Sequence, residues 1–177
     1  MYLELAKNDE AERIGLIDRS SSNILDAINE IRTISRSLVP SSIDDLGLVE
    51  SIHDLAESIR ATKKLSIEFY HQGPIDQMLS EQQKLMLFRI AQEQANNVLK
   101  HAEARNLIIE LIMEENAVDL SISDDGKGFD MDSVKGKKGL GLSNISSRAE
   151  LFNGEVNIVS APGKGCKMKI HVPIQIK

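Results

Sequence analysis

Arg89-Ile90-Ala91-Gln92-Glu93-Gln94-Ala95-Asn96-Asn97-Val98-Leu99-Lys100-His101-Ala102 is the stretch on which the fold turns. With Leu85 and Phe88 before it, Ala91, Ala95, Val98 and Leu99 recur at helical spacing, and Ser80-Glu81-Gln82-Gln83 supplies a capping box at the entry. The pattern predicts one long helix from about residue 81 to 101. Upstream, Leu65-Ser66-Ile67-Glu68-Phe69 alternates as a strand does. Downstream, residues 106–113 and 117–123 are strand-like runs around Glu114-Glu115-Asn116, which makes them an antiparallel hairpin. A glycine-rich stretch then reaches Gly141, and a helix follows to about Phe152, closed by Asn153-Gly154. Residues 155–160 and 167–172 form a second hairpin through Pro162-Gly163-Lys164-Gly165. Helices and a mixed, mostly antiparallel set of strands in this order predict an α/β two-layer sandwich.

Before residue 47 the character changes. Residues 16–38 contain neither Gly nor Pro, and Ile17, Ile24, Ile28, Ile31 and Leu38 repeat at spacings of three, four or seven. This is an amphipathic helix in need of a partner, ended by Pro40. Met1 to Lys7 reads as the end of another helix whose beginning is expected upstream. A further amphipathic helix carries Val49, Ile52, Leu55 and Ile59 after Leu46-Gly47-Leu48. The expected organisation is a partial helical dimerisation segment with its linker over 1–46 and a catalytic domain over 47–177.

Composition narrows the function. The 177 residues and 19.6 kDa suit one ordinary domain with a short appendage. A net charge of −6 and a pI near 5.3 oppose binding to a phosphate backbone, so nucleic acid is not an expected partner. Aromatic residues make up 3% of the chain, so the core must be aliphatic. The lone Cys166 excludes an internal disulfide, and no Cys/His spacing suggests structural zinc. No apolar run approaches the roughly 18 residues of a membrane helix. The expected setting is cytoplasmic, with any membrane link made through segments upstream.

Chemistry gathers in three places. Glu93 and Asn97 are one helical turn apart, so a carboxylate and an amide oxygen share a face that can hold hydrated magnesium and orient a nucleophile. The same spacing also serves an ordinary solvent face. Lys100 and His101 add donors for phosphate oxygens. Asp124-Asp125-Gly126-Lys127-Gly128 leaves a strand directly, placing an acid where it can accept from an exocyclic amine, with glycines that let backbone pass close to a ring or phosphate. Gly136-Lys137-Lys138-Gly139-Leu140-Gly141-Leu142 precedes a helix and suits anionic phosphates. It is neither a Walker loop nor a dinucleotide fingerprint, and no βαβ unit is expected in the chain.

In this order the motifs resemble the ATP-binding catalytic domain of sensor histidine kinases, within the wider group that includes gyrase, heat-shock chaperones and mismatch-repair ATPases. Residues 89–102 resemble the family's N box, Asp124 to Gly128 its first glycine box, and Gly139-Leu140-Gly141-Leu142 its second. The similarity continues through Asn144, Arg148 and Gly163-Lys164-Gly165 to Pro173, over most of residues 47–174. It implies ATP and Mg2+ as ligands, Asp124 as the adenine-reading acid and Asn97 as the magnesium ligand. It makes Glu93 the group that polarises the attacking atom, and Lys100, His101 and Lys138 phosphate contacts. Residues 126–142, with Gly126, Gly128, Gly139, Leu140, Gly141 and Leu142, become a lid over the triphosphate. Cys166 stands where the family usually has Thr, and a thiol donates weakly.

Residues 29–40 with Leu46-Gly47-Leu48 further resemble the second dimerisation helix of the nitrate-sensor-like branch. The resemblance implies a homodimer in the full-length protein, a response regulator as partner, and a phosphoacceptor His upstream of this chain. His53-Asp54-Leu55 mimics that acceptor but follows the linker and lacks its basic neighbours. An anti-sigma-type serine kinase and a non-catalytic nucleotide-dependent module remain alternatives within the same fold.

Overall fold

The computed structural model describes residues 41–62, 65–131 and 142–174. The apolar repeat of residues 17–38 lies outside the described residues, as do Lys138, Gly139, Leu140 and Gly141. Ser42–Lys177 groups as one unit.

Helix α1, Ser41–Arg60, is broken at Gly47, whose φ of 85° is left-handed. The expected helix start after Gly47 is therefore a restart inside a longer helical stretch. Its first amide groups are satisfied from elsewhere in the chain: Leu48 N–H donates to Asp76 Oδ1 at 2.5 Å and Val49 N–H to Oδ2 at 3.3 Å. A carboxylate at a helix N-terminus satisfies orphan donors and complements the dipole. Beyond the break, Leu48, Ile52, Ala56 and Ile59 are buried at a spacing of three or four. Val49 and Leu55 flank them against the core.

Strand β1, Ser66–Gln72, is followed by a single turn, α2, Ile75–Met78, which the sequence pattern did not reveal. Helix α3, Glu81–Asn97, begins with the predicted box: Gln83 N–H donates to Ser80 Oγ, and Ser80 N–H donates to Gln83 Oε1 at 3.1 Å. Met86, Leu87, Ile90, Ala91 and Ala95 turn one face into the core. The helix does not run on as α to residue 101. Val98–Ala102 widen into a π turn that ends at Glu103, itself left-handed at φ 55°.

Strands β2, Asn106–Met113, and β3, Ala117–Asp124, form the first hairpin, with Leu111 opposite Leu120. Helix α4, Leu142–Glu150, buries Ile145 and Ala149. It stops where expected, with Asn153 at φ 54° and Gly154 N–H donating to Ala149 O at 2.9 Å. Strands β4, Glu155–Ser160, and β5, Cys166–Pro173, form the second hairpin.

The five strands lie in the order β1-β2-β3-β5-β4. All pairs are antiparallel except β1 and β2, which are parallel. Parallel neighbours need a crossover, here through α2 and α3, so the chain contains a βαβ unit that the sequence reading did not find. Alternation along the strands buries Ile67, Ile109, Leu120, Met168 and Ile170 together with the apolar faces of α1, α3 and α4. The architecture is the expected two-layer α/β fold. Among the described residues no helix is long and apolar enough to cross a membrane.

Candidate functional site

An open cleft lies where the end of α3 meets the ends of β3 and β5. Gln94, Asn97, Val98, His101 and Ala102 form its helical wall, Asp124, Gly128 and Phe129 its loop wall, and Leu142 and Cys166 complete it. The walls are mostly apolar, so the few polar groups decide orientation.

Asp124 and Asp125 are adjacent and have opposite tasks. Asp125 Oδ1 accepts from the amides of Arg105 and Asn106, each at 2.8 Å, and Oδ2 accepts from Asn106 Nδ2 at 2.7 Å. The hydrogen bonds from Asn106 hold its carboxyl below the ordinary range, so this acid ties the loop to the start of β2. Asp124 instead faces the cleft. Burial pushes its carboxyl up, only partly offset by the Gly126 N–H, which donates to Oδ1 at 2.9 Å. An acid desolvated in a cleft, with no cationic partner among the described residues, is a candidate for reading a ligand.

The glycines of this loop act first on the protein itself. A Cβ on Gly126 would stand 2.3 Å from Ala102 O, the same carbonyl that accepts from Lys127 N–H at 2.8 Å. Gly128 has φ 58°, and a Cβ there would stand 2.1 Å from Ala161 O. Gly126 therefore lets the loop lie on the π turn, and Gly128 lets it lie on the β4–β5 turn.

Of the predicted residues, Asn97, His101, Asp124, Gly128 and Leu142 come together in the cleft. Glu93 and Lys100 are not among its lining residues; Glu93 is half-buried one turn earlier and Lys100 is exposed. Gln94, Val98, Ala102 and Phe129 line it without having been anticipated. Gln94 had a faint signal, since it lies three residues before Asn97 on a helix. Asn97 Nδ2 donates to Gln94 Oε1 at 3.4 Å. Cys166, opposite Asp124 in the β3–β5 register, is buried, and burial and the Asp124 charge push its thiol up to about 11. It stays a neutral thiol at physiological pH.

Histidines elsewhere fit other roles. His53 is exposed on α1, 4.0 Å from Glu57, with Glu50 and Asp54 nearby. His71 stacks on Phe69 at 5.8 Å. His171 Nδ1 lies 2.7 Å from Asp119 Oδ1 on the outer face of the sheet.

With this geometry in place, the comparison with known families is decisive: residues 82–176 match the histidine kinase-, DNA gyrase B- and HSP90-like ATPase family. The chain belongs to that ATPase family. ATP binding is a property of that family's domain. Among curated relatives, the sensor histidine kinase LiaS of Bacillus subtilis (strain 168) is 31% identical over 173 residues, 98% of this chain and 46% of that protein. The oxygen sensor histidine kinase NreB of Staphylococcus carnosus (strain TM300) is 32% identical over 169 residues, 95% of this chain and 48% of that protein. The chain thus spans about half the length of these relatives. Among solved structures, the Erythrobacter litoralis EL346 blue-light activated histidine kinase shares the fold, with a TM-score of 0.59 at 18% identity over 72% of this chain and 42% of that one. The catalytic domain of histidine kinase ThkA gives a TM-score of 0.56 at 13% identity over 72% of this chain and 90% of that chain.

Proposed function

We propose that this ATPase-family domain is the ATP-binding catalytic portion of a sensor histidine kinase. The observation that carries the proposal is Asp124, desolvated and without a cationic partner among the described residues, in one cleft with Asn97. The names of LiaS and NreB, both sensor histidine kinases, supply the reaction class. The full protein would move the γ-phosphate of Mg-ATP to a His outside this chain and then to an Asp of a response regulator.

In this reading Asp124 accepts from the adenine amine and so fixes the nucleotide at its base. Asn97 presents an amide oxygen to the metal, as suits a cation that prefers oxygen ligands and keeps several waters. Mg2+, when bound, neutralises charge on the phosphates. His101 reaches the cleft directly. Lys100 and Lys138 would join it as phosphate contacts, and Glu93 would polarise the attacking imidazole. Since the transferred group meets a nucleophile supplied from elsewhere, this domain acts by positioning and charge neutralisation. Residues 1–46 would belong to a homodimeric helical segment and 47–177 to the catalytic domain, in the cytoplasm, with a response regulator as partner.

The test is transfer itself. The purified chain is expected to bind Mg-ATP and not to label itself with γ-phosphate. Restoring the upstream helix with its His should give labelling that is stable to base and labile to acid. Acid-stable phosphoserine formed on a partner, or efficient labelling at His53, would contradict the assignment.

A further inference from the structure

Gln94 is only 4% exposed, yet it lines the cleft beside Asn97. Burying an amide is unfavourable unless its hydrogen bonds are replaced, so a position needed only for packing is better filled by Leu or Ala. Half of the explanation is local. Its Oε1 accepts from Asn97 Nδ2 at 3.4 Å, a pair three residues apart on one face of α3. An amide group is planar and its two ends differ, so holding Nδ2 toward Gln94 turns Asn97 Oδ1 away from it. The end of Asn97 suited to a cation is then the one directed away from Gln94.

The other half concerns Nε2. Gln94 has no second hydrogen bond among the described residues, and no fully buried side-chain nitrogen or oxygen lacks a partner there. Nε2 therefore keeps its access to solvent, and the cleft is the space that Gln94 lines. A primary amide nitrogen only donates. It contributes no charge, so it can face nucleotide oxygens without repelling a cation held next to it, as a lysine at this position would.

We propose that Gln94 is a further nucleotide-contacting residue that also positions Asn97. Its Oε1 fixes the Asn97 amide with the oxygen toward the metal, and its Nε2 donates to a ribose or phosphate oxygen of the bound nucleotide. The inference rests on the ATP-binding reading of the cleft and specifies how its helical wall works.

The experiment titrates ATP into the purified chain by calorimetry, with and without magnesium, for wild type, Gln94→Leu, Gln94→Glu and Asn97→Leu. The side-chain amide signals of Asn97 are followed by NMR in the nucleotide-free protein. Gln94→Leu should bind Mg-ATP about tenfold more weakly, lose most of the magnesium enhancement and shift the Asn97 amide signals. Gln94→Glu keeps an acceptor for Asn97, so those signals should stay near wild type while its negative charge still weakens ATP binding. Should Gln94→Leu melt early, Gln94→Met carries the same test. If wild type binds no ATP, the parent reading fails. If wild type binds and Asn97→Leu abolishes the magnesium response while Gln94→Leu leaves affinity, response and amide signals unchanged, the role of Gln94 alone is overturned.

Discussion

Asp119 and Asp124 stand on the same strand, β3, and face opposite sides of the sheet. Asp119 is almost buried on the outer face, where Lys169 Nζ lies 2.8 Å and His171 Nδ1 2.7 Å from its carboxylate. Burial alone would push this carboxyl up, but hydrogen bonds from Lys169 and His171 outweigh it and hold it below the ordinary range. Asp124, at the end of the strand, is pushed up by burial, and its offsetting bonds come from the backbone amides of Gly126 and Cys166. One acid is neutralised by cationic side chains; the other has none beside it among the described residues. A carboxylate desolvated without a cation destabilises the empty protein and is a feature of binding sites rather than of scaffolds.

Three substitutions sharpen this contrast. Gly128→Ala, which damages the cleft end and leaves Asp119 untouched, should have the largest effect. It forces a side chain onto a left-handed residue and into the Ala161 carbonyl. Urea unfolding should show a loss of roughly 2 to 4 kcal/mol, together with loss of nucleotide binding. A near-neutral result would mean that the loop is not held against the β4–β5 turn.

Asp124→Asn should do the opposite to the empty protein. A carboxyl whose folded pKa is raised stabilises the fold when protonated, and that contribution is lost as pH rises through the folded value. At neutral pH the ionised Asp124 is therefore a burden, and Asp124→Asn should melt at or above the wild-type temperature. The advantage should vanish as the pH falls below the raised carboxyl range. Thermal melts across pH 4 to 8, about the span in question, check the sign.

Asp119→Asn should give the smallest and inverse signature. A lowered folded pKa stabilises above the unfolded carboxylate range and loses that contribution as pH falls through the folded value. The variant should melt roughly 2 to 4 °C below wild type at pH 7, converge with it in acid, and bind ATP unchanged. A loss of ATP affinity would show that the two faces of β3 are not independent.

What was legible in the sequence follows the range of the interactions. The capping box at Ser80, both hairpins and the stop at Asn153 depend on neighbours within a few residues, and each is present. The parallel pairing of β1 with β2 depends on residues about forty positions apart, such as Ile67 and Leu107, and was missed. So was the Asp76 carboxylate that caps the restart of α1 from 28 residues away. The π turn carries no pattern in apolar spacing. In the cleft, a solvated turn would use the same residues as Asp124 and its glycines, so the resemblance singled Asp124 out, and the structure separates it from Asp125 through bonds to Asn106 that no sequence pattern announces. Gln94 escaped notice because a glutamine amid Gln92, Glu93 and Asn96 reads as solvent face. Only its 4% exposure marks it out.

The central claim is that Asp124 makes this cleft an adenine site, and calorimetry with ATP and GTP on wild type and Asp124→Ala tests it directly. Wild type should prefer ATP. The substitution should weaken ATP binding about 5- to 150-fold, as expected for roughly 1 to 3 kcal/mol lost with a buried hydrogen bond, and should erase the preference over GTP. Equal affinity for the two nucleotides in wild type, or unchanged affinity and preference in Asp124→Ala, would contradict the account.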